Sequence, residues 1–122
     1  MNRVLISLGS NTHAEVHIPR ALESLHSALA IERETAAIQT EPVDFPYPSG
    51  LFTNLLILAY TPMSQADLIN LLHNIEQEAG RNRKHPEIVT LDVDLIQWNN
   101  DVLKPRDTLR PYFKTLAQQL LD

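Results

Sequence analysis

The chain of 122 residues has no cysteine. Disulfide frameworks, thiolate metal sites and thiol nucleophiles are therefore excluded, and a reducing cytoplasm is the compartment that fits. It has only three glycines and no low-complexity run, and with 43% hydrophobic and 20% charged residues it has the composition of a folded protein rather than a disordered one. Surplus positive charge is also absent. The formal net charge of -5 argues against general nucleic-acid binding, which needs Lys and Arg spread over a broad face, so any anion site must be local. The longest apolar run, Leu55 to Tyr60, is far too short to span a bilayer, and the N-terminus has no basic segment leading into an apolar one. A soluble single domain over residues 1–122 is expected, with no membrane and no nucleic-acid partner. No pattern specifies an oligomeric state.

Val4 to Leu8 is a β-branched and aliphatic run ended by Gly9-Ser10-Asn11, which predicts a central strand entering a turn. Ile18, Leu22, Leu25 and Leu29 recur at helical spacing and predict a helix over about residues 15–29, with Pro19 tolerable only near its first turn. Residues 31–40 lack a clean period and predict a weaker edge strand. Pro42, Pro46, Pro48 and Gly50 fall within nine residues, which predicts a loop of the kind that binds ligands. Leu51 to Tyr60 predicts a second buried strand. Ser64 and Asp67 mark the start of a capped helix carrying Leu68, Leu71, Leu72 and Ile75, and Gly80 marks its end. From Val89 the period is two: Leu91, Val93 and Leu95 face one way, Thr90, Asp92 and Asp94 the other. The order strand, helix, strand, strand, helix, strand is that of an α+β, ferredoxin-like split βαβ sandwich. Such a fold has an antiparallel sheet with helices on one face and its first and third strands in the middle.

Asp92 and Asp94 lie two apart on a strand, so their carboxylates leave the same face from α-carbons roughly 6–7 Å apart. Hard oxygen donors of this kind suit Mg²⁺, which one or two carboxylates commonly hold together with substrate phosphates. By spacing alone, a solvated strand face is the commoner origin of such a pair. Arg81, Arg83 and Lys84 stand eight to eleven positions earlier, where they can reach phosphates held by the carboxylates. Positive side chains just past a helix end also oppose its dipole, so the cluster alone has a purely structural explanation. The five histidines are not obvious catalysts; only His85 falls in the arginine loop, and solvent exposure is its ordinary fate.

Together these segments resemble a known family. Ile75-Glu76, then Gly80-Arg81-Asn82-Arg83, then Thr90-Leu91-Asp92-Val93-Asp94-Leu95 are similar, in order, to the I-E, G-R-x-R and T-L-D-x-D signatures of the 6-hydroxymethyl-7,8-dihydropterin pyrophosphokinases. Gly9-Ser10-Asn11 resembles that family's opening G-S-N turn, and the likeness spans nearly the whole chain. The resemblance implies transfer of diphosphate from ATP to a pterin alcohol, giving AMP, in folate biosynthesis. It further implies two Mg²⁺ ions on Asp92 and Asp94, with Arg81 and Arg83 gripping the nucleotide phosphates. Thr40, Pro42, Phe52 and Asn54 would form the pterin site, Asn54 meeting the pterin edge and Phe52 stacking on the ring, while Glu76 would support the metal residues. Where relatives carry an Arg before T-L-D-x-D, this chain has Val89. Its C-terminal region is also shortened, stopping soon after Leu109-Arg110-Pro111-Tyr112-Phe113, where relatives show P-H and then an Arg and an aromatic. Tyr112 or Phe113 would have to replace the aromatic, and Arg110 or Lys114 the charge, while Leu116, Leu120 and Leu121 suggest a short packing helix. A noncatalytic nucleotide- or pterin-binding module is the alternative function.

Overall fold

In the computed structural model, which describes residues 1–121, the chain builds β1 (Asn2–Ser10), α1 (Ala14–Ala28), β2 (Ala30–Glu34), β3 (Ile38–Thr40) and β4 (Phe52–Thr61). It continues with α2 (Gln65–Glu78), β5 (Asp92–Trp98), β6 (Asp101–Val102), α3 (Pro105–Thr108) and α4 (Pro111–Leu121). The sheet is antiparallel throughout in the order β2-β4-β1-β5-β6, with β3 also paired to β4. This is the ferredoxin-like α+β sandwich, and β1 and β4 lie in its middle as their apolar runs require. Among the described residues no helix is long and apolar enough to cross a membrane.

The main core lies between the sheet and the two helices of the βαβ pattern. Val4, Ile6 and Leu8 of β1 and Leu55, Ile57 and Ala59 of β4 meet Ile18, Ala21 and Leu25 of α1 and Leu68, Leu72 and Ile75 of α2. Each fully buried Leu or Ile contributes about 1.5–3 kcal/mol. A smaller core on the opposite face joins Leu56 and Ile96 to Phe113 and Leu116 of α4. The expected C-terminal packing helix therefore exists and covers part of the second face, so β4 is buried on both sides. The uncovered part of that face, toward the start of β5, is where a site can form.

Local chemistry explains the element ends. The Ser64 hydroxyl caps α2 by accepting from the Asp67 N–H at 3.1 Å. The helix closes with Gly80 at φ 81°, which directs the Gly80 N–H to the Gln77 carbonyl and the Arg81 N–H to the Glu76 carbonyl. Pro19 is the sixth residue of α1, later than the first turn to which the sequence reading confined it. The Glu15 carbonyl that thereby loses its donor belongs to an exposed residue, where water can replace it. The edge strand predicted over residues 31–40 is two pieces. At the break the Leu56 N–H donates to the Thr35 hydroxyl at 3.0 Å, and Gln119 of α4 accepts from the Ala36 N–H at 2.9 Å.

Candidate functional site

Three strands carry one row of side chains across the uncovered face. Gly9 of β1 pairs with Asp92 of β5 on one side and with Asn54 of β4 on the other. Directly opposed residues point the same way, so Asp92 and Asn54 face one space across roughly 10 Å of sheet. Gly9 is strand rather than turn, and its need for glycine is steric: a β-carbon there would stand 2.9 Å from Asn54 Oδ1. The Asn54 amide, buried at 6% exposure, lies across that gap and donates to the Thr40 hydroxyl at 2.6 Å.

The Asp pair is held at the start of β5, which begins at Asp92 rather than at Val89. Burial first, and the neighbouring Glu76 carboxylate second, push the Asp92 carboxyl up to about 6. Burial and the Asp92 charge push Asp94 up to about 6 as well, against the opposing pull of Lys104. Two carboxyls raised together in this way form a site that gains from a bound cation. Glu76, only 4% exposed, accepts from the Val93 N–H at 2.8 Å between the two aspartates and meets Arg83 Nη2 at 3.5 Å. It thereby ties α2 to the segment that carries both carboxylates. Among the described residues no group of three or more His, Cys, Asp or Glu side chains is placed to hold a metal. The donor set is the Asp pair, which fits Mg²⁺, an ion that completes its octahedron with water and phosphate oxygens. Two buried donors on the chain ahead of the pair, Arg81 Nε and the Thr90 hydroxyl, have no protein partner, and Arg81 lines the space beside Asp92, as suits an anion arriving there.

Asn11 fastens the surrounding loops. Its main chain and side chain exchange bonds with Val89, N–H to carbonyl at 2.9 Å and Val89 N–H to Asn11 Oδ1 at 2.8 Å. Its Nδ2 also donates to the Glu87 carbonyl at 3.0 Å and to the Ser49 hydroxyl at 3.1 Å. Arg81 Nη1 adds a bond to the Ile88 carbonyl at 2.9 Å.

A cavity of about 220 Å³ opens on this face, and Thr40, Phe52, Asn54, Arg81, Asp92 and Tyr112 line it. Pro42, Arg83 and Asp94 do not. Arg83 is spread over the surface beside Glu76, and Asp94 opens instead on a second hollow of about 250 Å³ along the edge of β5. Of the two candidate replacement aromatics, Tyr112 lines the cavity while Phe113 is buried in the smaller core. Arg110, which donates to the Tyr112 hydroxyl at 3.2 Å, lines the same cavity as Val89, whereas Lys114 is an exposed helical residue. His85 is exposed beside Glu87. Sequence reasoning missed Phe45, which packs edge-on against Phe52 with ring centroids 5.3 Å apart and also lines the cavity. An aromatic inside a proline-dense loop was its only signal.

A sequence-family model described as 7,8-dihydro-6-hydroxymethylpterin-pyrophosphokinase matches residues 5–120. The chain belongs to that family. It is 26% identical over 117 residues to the 2-amino-4-hydroxy-6-hydroxymethyldihydropteridine pyrophosphokinase of Bacillus subtilis, a match covering 91% of this chain and 68% of that protein. The Helicobacter pylori protein of the same name is 29% identical over 123 residues, with 93% and 72% covered. The one from Aquifex aeolicus is 26% identical over 110 residues, with 87% and 67% covered. Membership places the chain among the pyrophosphokinases, transferases of folate biosynthesis.

Proposed function

We propose that this chain transfers diphosphate from ATP to 6-hydroxymethyl-7,8-dihydropterin, releasing AMP. The observation that carries the reading is the placement of the Asp pair between two unlike hollows. Asp92 opens on the cavity with an aromatic and amide lining, and Asp94 opens on the largely apolar hollow beside His73, Leu95 and Leu103. A planar pterin suits the first. Asn54 meets its donor and acceptor edge, with Thr40 fixing the amide, and Phe52 offers a ring face. A nucleotide base suits the second, which leaves the phosphates to run past the carboxylates.

The chemistry then follows from position. The pterin hydroxymethyl oxygen bonds to the β-phosphorus of ATP and releases its proton to water, and the bond from that phosphorus to the oxygen bridging the α-phosphate breaks, so that AMP leaves with the bridging oxygen. No protein nucleophile is required; alignment of two bound substrates supplies a large share of the acceleration. Asp92 and Asp94 hold Mg²⁺, which when bound offsets charge on the phosphate oxygens. Arg81, with its unpartnered Nε, donates to a phosphate, and Arg83 supplies a further cation from the surface. Val89 stands where relatives carry an Arg, and Arg110 lines the same cavity, which supports its taking over that charge. The second reading, a noncatalytic pterin- or nucleotide-binding module, draws its support from Val89, whose N–H is committed to Asn11 and whose side chain brings no charge.

The test is incubation of the purified chain with ATP, Mg²⁺ and the pterin alcohol, following AMP and pterin diphosphate. Both products should appear with the parent and neither with Asp94→Ala. Absence of product at high protein concentration, with binding of either substrate retained, would establish the noncatalytic module instead.

A further inference from the structure

Lys104 sits where β6 passes into α3, its backbone N–H directed at the Ile96 carbonyl at 3.3 Å. Pro105 follows and opens the short helix, which keeps Lys104 itself out of the helical conformation at φ -126° and ψ 70°. With the backbone fixed at both ends, only the four-carbon stem is free to swing. Its Nζ stands 3.6 Å from Asp94 Oδ1, with the lysine side chain 50% and the aspartate side chain 31% exposed. Both residues line the hollow along the edge of β5. A half-exposed ion pair contributes little to stability, so holding the fold together does not account for the lysine. Nor does it serve a buried acid elsewhere, since Glu76 has Arg83 and the Val93 N–H.

We propose that Lys104 is a phosphate-contacting residue that Asp94 keeps in place until substrate arrives. The proposal rests on the reading of Asp92 and Asp94 as the Mg²⁺ carboxylates. Without a cation, the ammonium of Lys104 offsets the Asp94 charge. Once Asp94 turns to a divalent cation, the ammonium loses its partner at the mouth of the hollow assigned to the nucleotide, where the nearest unpaired anion is a phosphate oxygen. An ammonium is a point charge on a flexible stem and can follow that oxygen over several ångströms. The same side chain then opposes binding of the metal alone and favours binding of metal and nucleotide together, which couples the two events.

That coupling gives opposite signs that a purely structural ion pair does not produce. Lys104→Gln, Lys104→Arg and Asp94→Asn of the full chain are titrated calorimetrically with MgCl₂ alone and with MgCl₂ plus a non-hydrolysable ATP analogue. Lys104→Gln should bind Mg²⁺ alone at least as tightly as the parent and bind the Mg²⁺-analogue pair about tenfold more weakly, the usual loss for one hydrogen bond to a charged group. Lys104→Arg should recover most of the analogue affinity. In turnover, Lys104→Gln should raise KM for ATP and leave KM for the pterin unchanged. Unchanged analogue affinity in Lys104→Gln, or an equal fall in both titrations, overturns the role of the lysine while Asp94→Asn still loses Mg²⁺-dependent binding. If Asp94→Asn binds Mg²⁺ and analogue as the parent does, the metal assignment fails and the lysine proposal falls with it.

Discussion

Replacing Asp92 with asparagine should stabilise the metal-free protein at neutral pH while removing its response to Mg²⁺. The Asp92 carboxyl is pushed from its ordinary 3.8 up to about 6, by burial first and the Glu76 carboxylate second. A folded-state value above the unfolded one means that folding takes up a proton. The favourable contribution is therefore complete below about pH 4 and is lost as pH rises through about 6. Two units correspond to about 3 kcal/mol at most, and partial hydration in the cavity brings the working range to about 1–3 kcal/mol. Asparagine has no charge to desolvate, and its amide can donate toward Glu76 as the protonated acid does. It also removes the Asp92 charge that raises Asp94. In EDTA at pH 7.5, Asp92→Asn should melt several degrees above the parent, and the gap should close by about pH 4. Mg²⁺ should raise the melting temperature of the parent and not of the variant. Circular dichroism melts between pH 4 and 8 are sufficient, and an Asp92→Asn variant that melts lower at pH 7.5, or a gap independent of pH, would refute the reasoning.

Gly9→Ala places a methyl 2.9 Å from Asn54 Oδ1 and must displace that amide. Stability should fall by about 1–3 kcal/mol, and affinity for the pterin, followed by its fluorescence, should fall far more than affinity for the ATP analogue. Equal losses would mean that Asn54 does not read the pterin. Asn11→Ala removes the side-chain bonds to Val89, Glu87 and Ser49. Hydrogen exchange at the Val89 amide should accelerate by at least about tenfold, in line with a lost bond of 1–3 kcal/mol, while Leu8 in mid-sheet stays protected; an unchanged Val89 would show that other contacts hold the loop.

Much of this architecture is legible in periodicity. The strand-helix order, the Ser64 cap, the Gly80 stop and the shared face of Asp92 and Asp94 are all local patterns, and local patterns survive folding. Leu55 to Ala59 held a further signal: five apolar residues in succession, with no alternation, require cover on both faces, which α4 provides from the far end of the chain. Other features depend on who meets whom. Gly9 reads as a turn residue until Asn54 is known to lie opposite, and the supporting part expected of Glu76 gains its partner, the Val93 N–H, only when α2 is set against β5. Arg83 has the spacing of a phosphate-binding arm, yet the fold turns it toward Glu76. β6 and α3, of two and four residues, are too short to show any period.

Asn11 joins two stretches of chain that are far apart in sequence. One side chain fastens both the proline-dense loop, through Ser49, and the segment before the Asp pair, through Glu87 and Val89. Neither segment can lift away without straining the anchor of the other. The two segments are therefore energetically linked, since one side chain holds contacts to both and a change in either is felt by the other.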